Sequence, residues 1–148
     1  MLQADAITPA QEKLMNGNLL YWISTALLSA LYLASATMYI AKSEWVRQAL
    51  ADMNYPRYLV PILAAVKLLA VAAVLSRLSV ALSDLAYVGM FYHLLLAGVA
   101  HLGVRKPGAA VPAAVGLVLL VASFTTQNGA RELPSPYAPV TTHQATLN

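Results

Sequence analysis

Four long apolar runs separated by short polar segments set the pattern of this chain. The runs are Leu19–Ile40, Leu59–Leu75, Leu85–Leu102 and Ala109–Thr126. Each is close to the ~20 residues that an α-helix needs to cross the hydrocarbon of a bilayer. The pattern therefore predicts an all-α fold, an integral membrane four-helix bundle.

The polar segments divide the chain into a membrane domain and two tails. Residues 18–126 are predicted to form the four-span domain, preceded by a polar N-terminal tail over residues 1–17, in which Thr8 and Pro9 suit a helix start. Residues 127–148 are rich in Pro, Thr, Gln and Asn and are predicted to be a flexible polar tail. Between the first two spans, apolar residues at helical spacing within Lys42–Met53 predict a short interfacial amphipathic helix.

Hydroxyl groups recur along one side of the first span. Tyr21, Thr25, Ser29, Tyr32, Ser35 and Tyr39 follow one another at steps of three and four residues, which places them on one helix face. Lipid offers hydroxyls no hydrogen-bond partner. This stripe is therefore expected to face the interior of the bundle.

At the start of the third span, Ser83 and Asp84 are predicted to cap the helix.

Two ionisable residues interrupt the apolar runs, Lys67 in the second and His93 in the third. If these runs form an antiparallel hairpin that turns near Val80, the two residues are equally distant from the turn and lie at one depth. A lysine at the centre of a span costs roughly 2.5–3.5 kcal/mol on insertion scales, and such residues are by default functional. Specific chemistry is therefore expected where these two side chains meet.

Two interpretations of this pair stay open. In the first, Lys67 and His93 bind a ligand or handle protons, with Tyr32 and Ser29 at the same level of the first span. In the second, these groups hold a hydrogen-bonded lysine that serves only to join the helices. Neighbouring cationic groups disfavour each other's charge, which favours a neutral His93 and an anionic or carbonyl ligand between the pair.

His101 completes the candidate ligand-binding residues, which are Lys67, His93, Tyr32, Ser29 and His101. It follows His93 by about 12 Å along a helix axis, so a straight helix cannot direct both imidazoles to one metal ion. No metal or haem site is predicted. No catalytic residue is assigned either, because Ser-His-Asp sets and HExxH, P-loop and GxGxxG motifs are absent.

Composition agrees with a membrane protein and removes several other classes. Of the 148 residues 59% are hydrophobic and 10% charged, whereas a soluble domain carries about 25% charged residues. The chain has no cysteine, which excludes disulfides, thiol chemistry and cysteine-ligated iron–sulfur or zinc sites. Its net charge of +3 is spread without a basic run, so nucleic-acid binding is not expected.

Several stretches resemble the DoxX-like family of small membrane proteins. They are Tyr55–Leu63, Lys67–Ala70, Leu85–His93 and Ala100–His101. The resemblance extends over about Leu19–Val121 and implies a four-helix membrane bundle. Two positions depart from the family pattern, because Lys67 stands where many relatives have Glu and His93 where several have Asp.

The family resemblance implies a membrane role more than a particular reaction. The family name comes from a small subunit of a thiosulfate:quinone oxidoreductase, and other members resemble membrane chaperones or accessory subunits of redox complexes. We expect an accessory subunit that interacts with a quinone or another lipophile at a buried Lys67/His93 site, with no resident cofactor assigned. The alternatives are a structural or chaperone-like partner of another membrane protein, and a membrane enzyme acting on a lipophilic substrate through Lys67 and His93.

Four spans place both termini on one side of the membrane, expected to be the bacterial cytoplasmic membrane. The basic residues near the termini side are Lys13, Arg77 and Arg131, and those near the other side are Lys42, Arg47, Arg57, Arg105 and Lys106. The positive-inside rule favours a cytoplasmic location for the second side by this small margin. The lipid bilayer and other membrane-protein subunits are the expected partners.

Overall fold

The computed structural model describes residues 8–140, which are helical except for short links and the C-terminal segment. The helices are α1 (Pro9–Ala41), α2 (Ser43–Asp52), α3 (Leu59–Ser76), α4 (Val80–Gly103) and α5 (Pro107–Thr126), followed by a 3-10 helix over Gln127–Ala130. No strand occurs in this part of the chain. The predicted all-α class is confirmed.

Four of these helices, α1, α3, α4 and α5, are long and apolar enough to cross a membrane. Large apolar side chains on their outer surfaces are exposed, among them Leu69, Leu85 and Val118, each about two-thirds exposed. A surface with so many large apolar side chains suits lipid and is unfavourable in water. The protein is therefore a multi-pass integral membrane protein, and the predicted four-span bundle is confirmed.

The four spans form a closed ring. α1 packs against α3 and α5, and α4 packs against the same two helices. The interior is filled by apolar side chains from all four spans, including Leu28, Val71, Met90, Leu94 and Leu120. Each span thus has two neighbours and one face turned outward.

α1 begins earlier than its apolar run. Thr8 is the N-cap, its hydroxyl accepts a hydrogen bond from the Gln11 backbone N–H, and Pro9 is the first helical residue. The helix start at Thr8 and Pro9 is confirmed. Residues 9–17, which the sequence analysis placed in the N-terminal tail, are therefore part of α1, because the cap allows the helix to begin there. Residues 1–7 lie outside the described part of the chain.

α2 lies within the predicted amphipathic segment. Its buried residues Val46 and Leu50 pack against Val60 at the start of α3, whereas Trp45 on the same helix is 61% exposed. One side of the helix thus contacts the bundle and the other faces outward. The predicted short amphipathic helix between the first two spans is confirmed.

The link between α3 and α4 corrects one sequence expectation. Ser79 caps α4, and its hydroxyl accepts a hydrogen bond from the Leu82 backbone N–H. Ser83 and Asp84 were expected at the cap but lie one turn further on, where both are buried. The Ser83 hydroxyl donates to the Ala73 carbonyl of α3 at 3.2 Å. Several Ser and Asp residues near the start of α4 could act as the N-cap. The short link after α3 places Ser79 in that position.

The hydroxyl stripe of α1 faces inward, as predicted. Thr25, Ser29 and Tyr32 are 0%, 6% and 4% exposed. The Thr25 hydroxyl lies 2.6 Å from Ser123 of α5, and Ser123 lies 2.6 Å from the Tyr87 hydroxyl of α4. This chain of hydroxyls joins α1, α5 and α4, and hydrogen bonds of this kind replace the hydrophobic driving force that helices lack in lipid.

The C-terminal segment is packed rather than loose up to residue 140. Asn128 accepts a hydrogen bond from the Ser135 backbone N–H at 2.7 Å, and its amide nitrogen lies within 3.1 Å of three carbonyl oxygens of residues 135–139. The Ser135 hydroxyl donates to Asp84 at 2.8 Å. The flexible tail expected from composition thus makes ordered contacts over residues 127–140, because buried Asn and Asp side chains supply hydrogen-bond partners that composition does not reveal. We call residues 131–140 the C-terminal strap; residues 141–148 lie outside the described chain.

We expect Gly116→Ala to destabilise the bundle by about 1 kcal/mol, at the low end of overpacking costs. A Cβ at Gly116 would come within 2.8 Å of a Leu94 methyl and 3.1 Å of a Leu31 methyl. The matched control is Gly98→Ala on α4, where the new Cβ meets its nearest neighbour at an ordinary 3.8 Å. Thermal unfolding in detergent measures both variants. Equal midpoints for the two would contradict the close packing inferred at Gly116.

Candidate functional site

A lysine is buried near the middle of α3. Lys67 is 3% exposed, and its Nζ lies 2.7 Å from Nε2 of His93 on α4. The two ionisable residues that interrupt the apolar runs therefore meet inside the bundle. Their equal distance from the hairpin turn was sufficient to anticipate this contact.

Tyr32 of α1 holds the other side of the His93 ring. Its hydroxyl donates to the Met90 carbonyl at 3.2 Å and lies 3.1 Å from His93 Nδ1. A Tyr32 hydroxyl that donates to Met90 can accept a hydrogen bond from the Nδ1–H of His93. In that tautomer Nε2 is the acceptor for Lys67. The three contacts are thus mutually compatible for the Nδ1–H tautomer of His93.

Aromatic faces surround the lysine amine. Nζ of Lys67 lies 4.8 Å from the ring centre of Tyr39 and 5.6 Å from that of Tyr32. Both distances fall within the range of cation–π attraction. Among residues 8–140 Lys67 forms no salt bridge. One imidazole nitrogen and two rings therefore replace the carboxylate that a buried lysine usually finds.

Two cavities meet at this cluster. The first, of about 250 Å³, lies between α3 and α4 and has apolar walls apart from Lys67, His93 and Tyr32. The second, of about 330 Å³, is lined by the same three residues and extends towards Trp45 of α2 and His101. The Lys67–His93–Tyr32 cluster forms a wall common to both cavities.

The other two candidate residues are placed differently. Ser29 is buried one turn from Tyr32 but lines neither of these cavities. His101 lines the second cavity, and its buried Nδ1 has no hydrogen-bond partner among the described residues. The structure therefore brings Lys67, His93 and Tyr32 into contact, places His101 in a shared cavity, and leaves Ser29 in the helix packing.

The sequence analysis did not predict the contact between Tyr39 and Lys67. Tyr39 faces the lysine amine, although it was noted only as part of the hydroxyl stripe. Its spacing of two helical turns from Tyr32 was the available signal, since residues so spaced share a face.

Within residues 8–140 no three His, Asp or Glu side chains gather in a way that could hold a metal ion.

The family assignment can now be stated. The sequence model of the DoxX-like family matches residues 23–123, which include Tyr32, Lys67 and His93. The chain belongs to the DoxX-like family. No curated protein and no solved structure gives a significant match. In this DoxX-like protein the matched region ends within α5, so the 3-10 helix and the C-terminal strap lie beyond it.

We expect Tyr32→Phe to lower the stability of the protein by about 1–2 kcal/mol. The change removes the hydrogen bonds of the Tyr32 hydroxyl to the Met90 carbonyl and to Nδ1 of His93. Tyr92→Phe is the matched control, because Tyr92 is also on a span but 57% exposed. Thermal unfolding in detergent compares the two, and an equal loss in both variants would show that the Tyr32 hydroxyl contributes nothing specific.

Proposed function

We propose that this DoxX-like protein binds a lipophilic molecule with a hydrogen-bond-accepting head group at Lys67, as an accessory subunit of a membrane complex. A quinone is the ligand class that fits best, because its ring is flat and apolar and its carbonyl oxygens accept hydrogen bonds. The observation that carries the proposal is the position of Lys67, an amine 3% exposed on the wall of an otherwise apolar cavity.

The Lys67 ammonium has N–H donors that remain available to a ligand. An ammonium carries three N–H donors, and His93 occupies one of them. The rings of Tyr32 and Tyr39 lie beside the amine, but an oxygen acceptor binds an ammonium N–H more strongly than a ring face does. A carbonyl or carboxylate oxygen in the first cavity would therefore be favoured at this position.

The first cavity suits a ring-sized head group with a tail in the lipid. Its volume of about 250 Å³ lies just below the range of about 300–1,000 Å³ typical of pockets that enclose drug-sized ligands. Three of its lining residues, Val66, Leu69 and Leu85, are also at least half exposed on the outer surface. This arrangement supports an opening between α3 and α4 through which an apolar tail would extend.

The accessory role follows from the kinds of side chain in the cluster. An amine, an imidazole and a phenol bind, orient and exchange protons, and His93 connects the amine to Tyr32 through its two ring nitrogens. We therefore assign binding and positioning to this protein. Electron transfer to or from a bound quinone is assigned to a partner subunit.

Lys67→Leu tests the site. We expect the variant to insert and fold with unchanged or higher thermal stability, because the desolvated amine is removed. Its affinity for a quinone with a short alkyl chain should fall at least about tenfold, the loss of one charge-assisted hydrogen bond. Quinone binding to protein in nanodiscs, followed by fluorescence quenching, measures the affinity.

Lys42→Leu is the matched control, since Lys42 is exposed at the junction of α1 and α2. It should bind the quinone as the wild type does. Equal affinity in the Lys67→Leu and Lys42→Leu variants would refute the site. Reduced stability of Lys67→Leu with unchanged binding would show that the lysine only joins the helices.

We also propose that both termini lie on one side of the bacterial cytoplasmic membrane, with α2 on the other. The chain has no cysteine, so single cysteines can be introduced at Glu12, Ser76 and Gln48, all exposed. A membrane-impermeant thiol reagent should label Glu12→Cys and Ser76→Cys from the same side and Gln48→Cys from the opposite side. Labels at residues 12 and 76 on opposite sides would refute this topology.

A further inference from the structure

A polar cavity of about 350 Å³ lies at the end of the bundle where α3 turns into α4. It is formed by the link residues 77–80 on one side and by residues 130–133 on the other. Two of its lining residues are Arg77 and Arg131. The sequence analysis assigned three basic residues to this end of the bundle. Two of them, Arg77 and Arg131, line this one cavity.

Arg77 is held in place by neighbouring elements. It has a left-handed backbone conformation with φ of 53° at the end of α3. Its guanidinium donates to the Ala130 carbonyl and lies 5.5 Å from the ring centre of Trp22 on α1. A guanidinium fixed from several sides loses little freedom when it binds a further group.

Arg131 has unused donors. Its Nε and Nη2 atoms are buried and have no hydrogen-bond partner within residues 8–140. A buried guanidinium donor without an acceptor is costly. The other charged side chain at the cavity is Glu132, which is exposed. The three charged groups together leave the cavity with a net positive charge, which favours an anion.

Apolar side chains flank the cavity and indicate where the anion comes from. Leu78 in the link is 81% exposed and Leu133 in the C-terminal strap is 74% exposed, and both line the cavity. The link joins two membrane helices, so it lies at the depth of the lipid headgroups. Exposed leucines beside the headgroups suit the upper part of the acyl chains, whereas a site for a free anion would not need them.

We propose that Arg77 and Arg131 bind the phosphate of an anionic phospholipid at this cavity. The planar guanidinium matches the geometry of phosphate oxygens, and basic pockets at the ends of membrane helices recognise lipid headgroups. Leu78 and Leu133 contact the acyl chains of the same lipid. Arg131 lies beyond the region that matches the family, and the bonds of Asn128 and Asp84 to Ser135 hold it in position.

The test uses the full-length protein, delipidated in a nonionic detergent. Phosphatidylglycerol should raise the thermal unfolding midpoint, phosphatidylcholine should raise it less, and inorganic phosphate should leave it unchanged. In the Arg131→Gln variant the phosphatidylglycerol concentration that gives half of the shift should increase at least about tenfold. Without lipid, this variant should be at least as stable as the wild type, because the buried Nε and Nη2 donors of Arg131 have no protein partner to lose in the described chain.

Arg105→Gln provides the matched control, an exposed arginine in the link on the opposite side, and should respond as the wild type does. A normal response in Arg131→Gln, or an equal loss in Arg105→Gln, would overturn the proposal. Stabilisation by inorganic phosphate equal to that by phosphatidylglycerol would also overturn it, in favour of a free-phosphate site. If Arg131→Gln does not fold, Arg131→Lys is tested instead. This variant keeps the positive charge but lacks the planar guanidinium that forms two hydrogen bonds to a phosphate, so it should bind phosphatidylglycerol more weakly than the wild type does. Native mass spectrometry of the wild type must then show bound phosphatidylglycerol, and its absence would refute the site.

Discussion

A lysine amine at the depth of the lipid tails needs partners, and the bundle is arranged so that three helices supply them. Lys67 comes from α3, its hydrogen-bond partner His93 from α4, and Tyr32, which contacts the other ring nitrogen of His93, from α1. Apolar contacts between helices in lipid carry little directional information, since lipid tails are as apolar as leucine. Hydrogen bonds depend on distance and angle. The cluster therefore fixes the rotation and the depth of α1, α3 and α4 relative to one another.

The interior differs between its two halves. Towards the termini, Thr25, Ser123 and Tyr87 link three helices through hydroxyls, and Gln127 and Ser135 both donate to the buried Asp84 carboxylate. The other half, between the cluster and α2, contains the second cavity. Dense hydrogen bonding at one end holds the helices there in a defined arrangement. The candidate site lies at the boundary between this half and the half that contains the second cavity.

Sequence was sufficient for those features that follow from periodicity. The spans, the inward stripe of α1 and the meeting of Lys67 with His93 all depend on helical rise and on the cost of polar groups in lipid, which act residue by residue. The true cap at Ser79 and the docking of residues 127–140 were missed, because they depend on which of several similar polar groups happen to face each other after folding. Asp84 shows this most clearly, since its partners Gln127 and Ser135 are far away in sequence.

The wall common to the two cavities has a consequence for the barrier inside the protein. Tyr32, Lys67 and His93 line both spaces, so their side chains lie between the two. A small side chain in place of Lys67 would join the cavity between α3 and α4 to the one that extends towards α2. The lysine that joins α3 to α4 through His93 therefore also stands between two cavities of the interior.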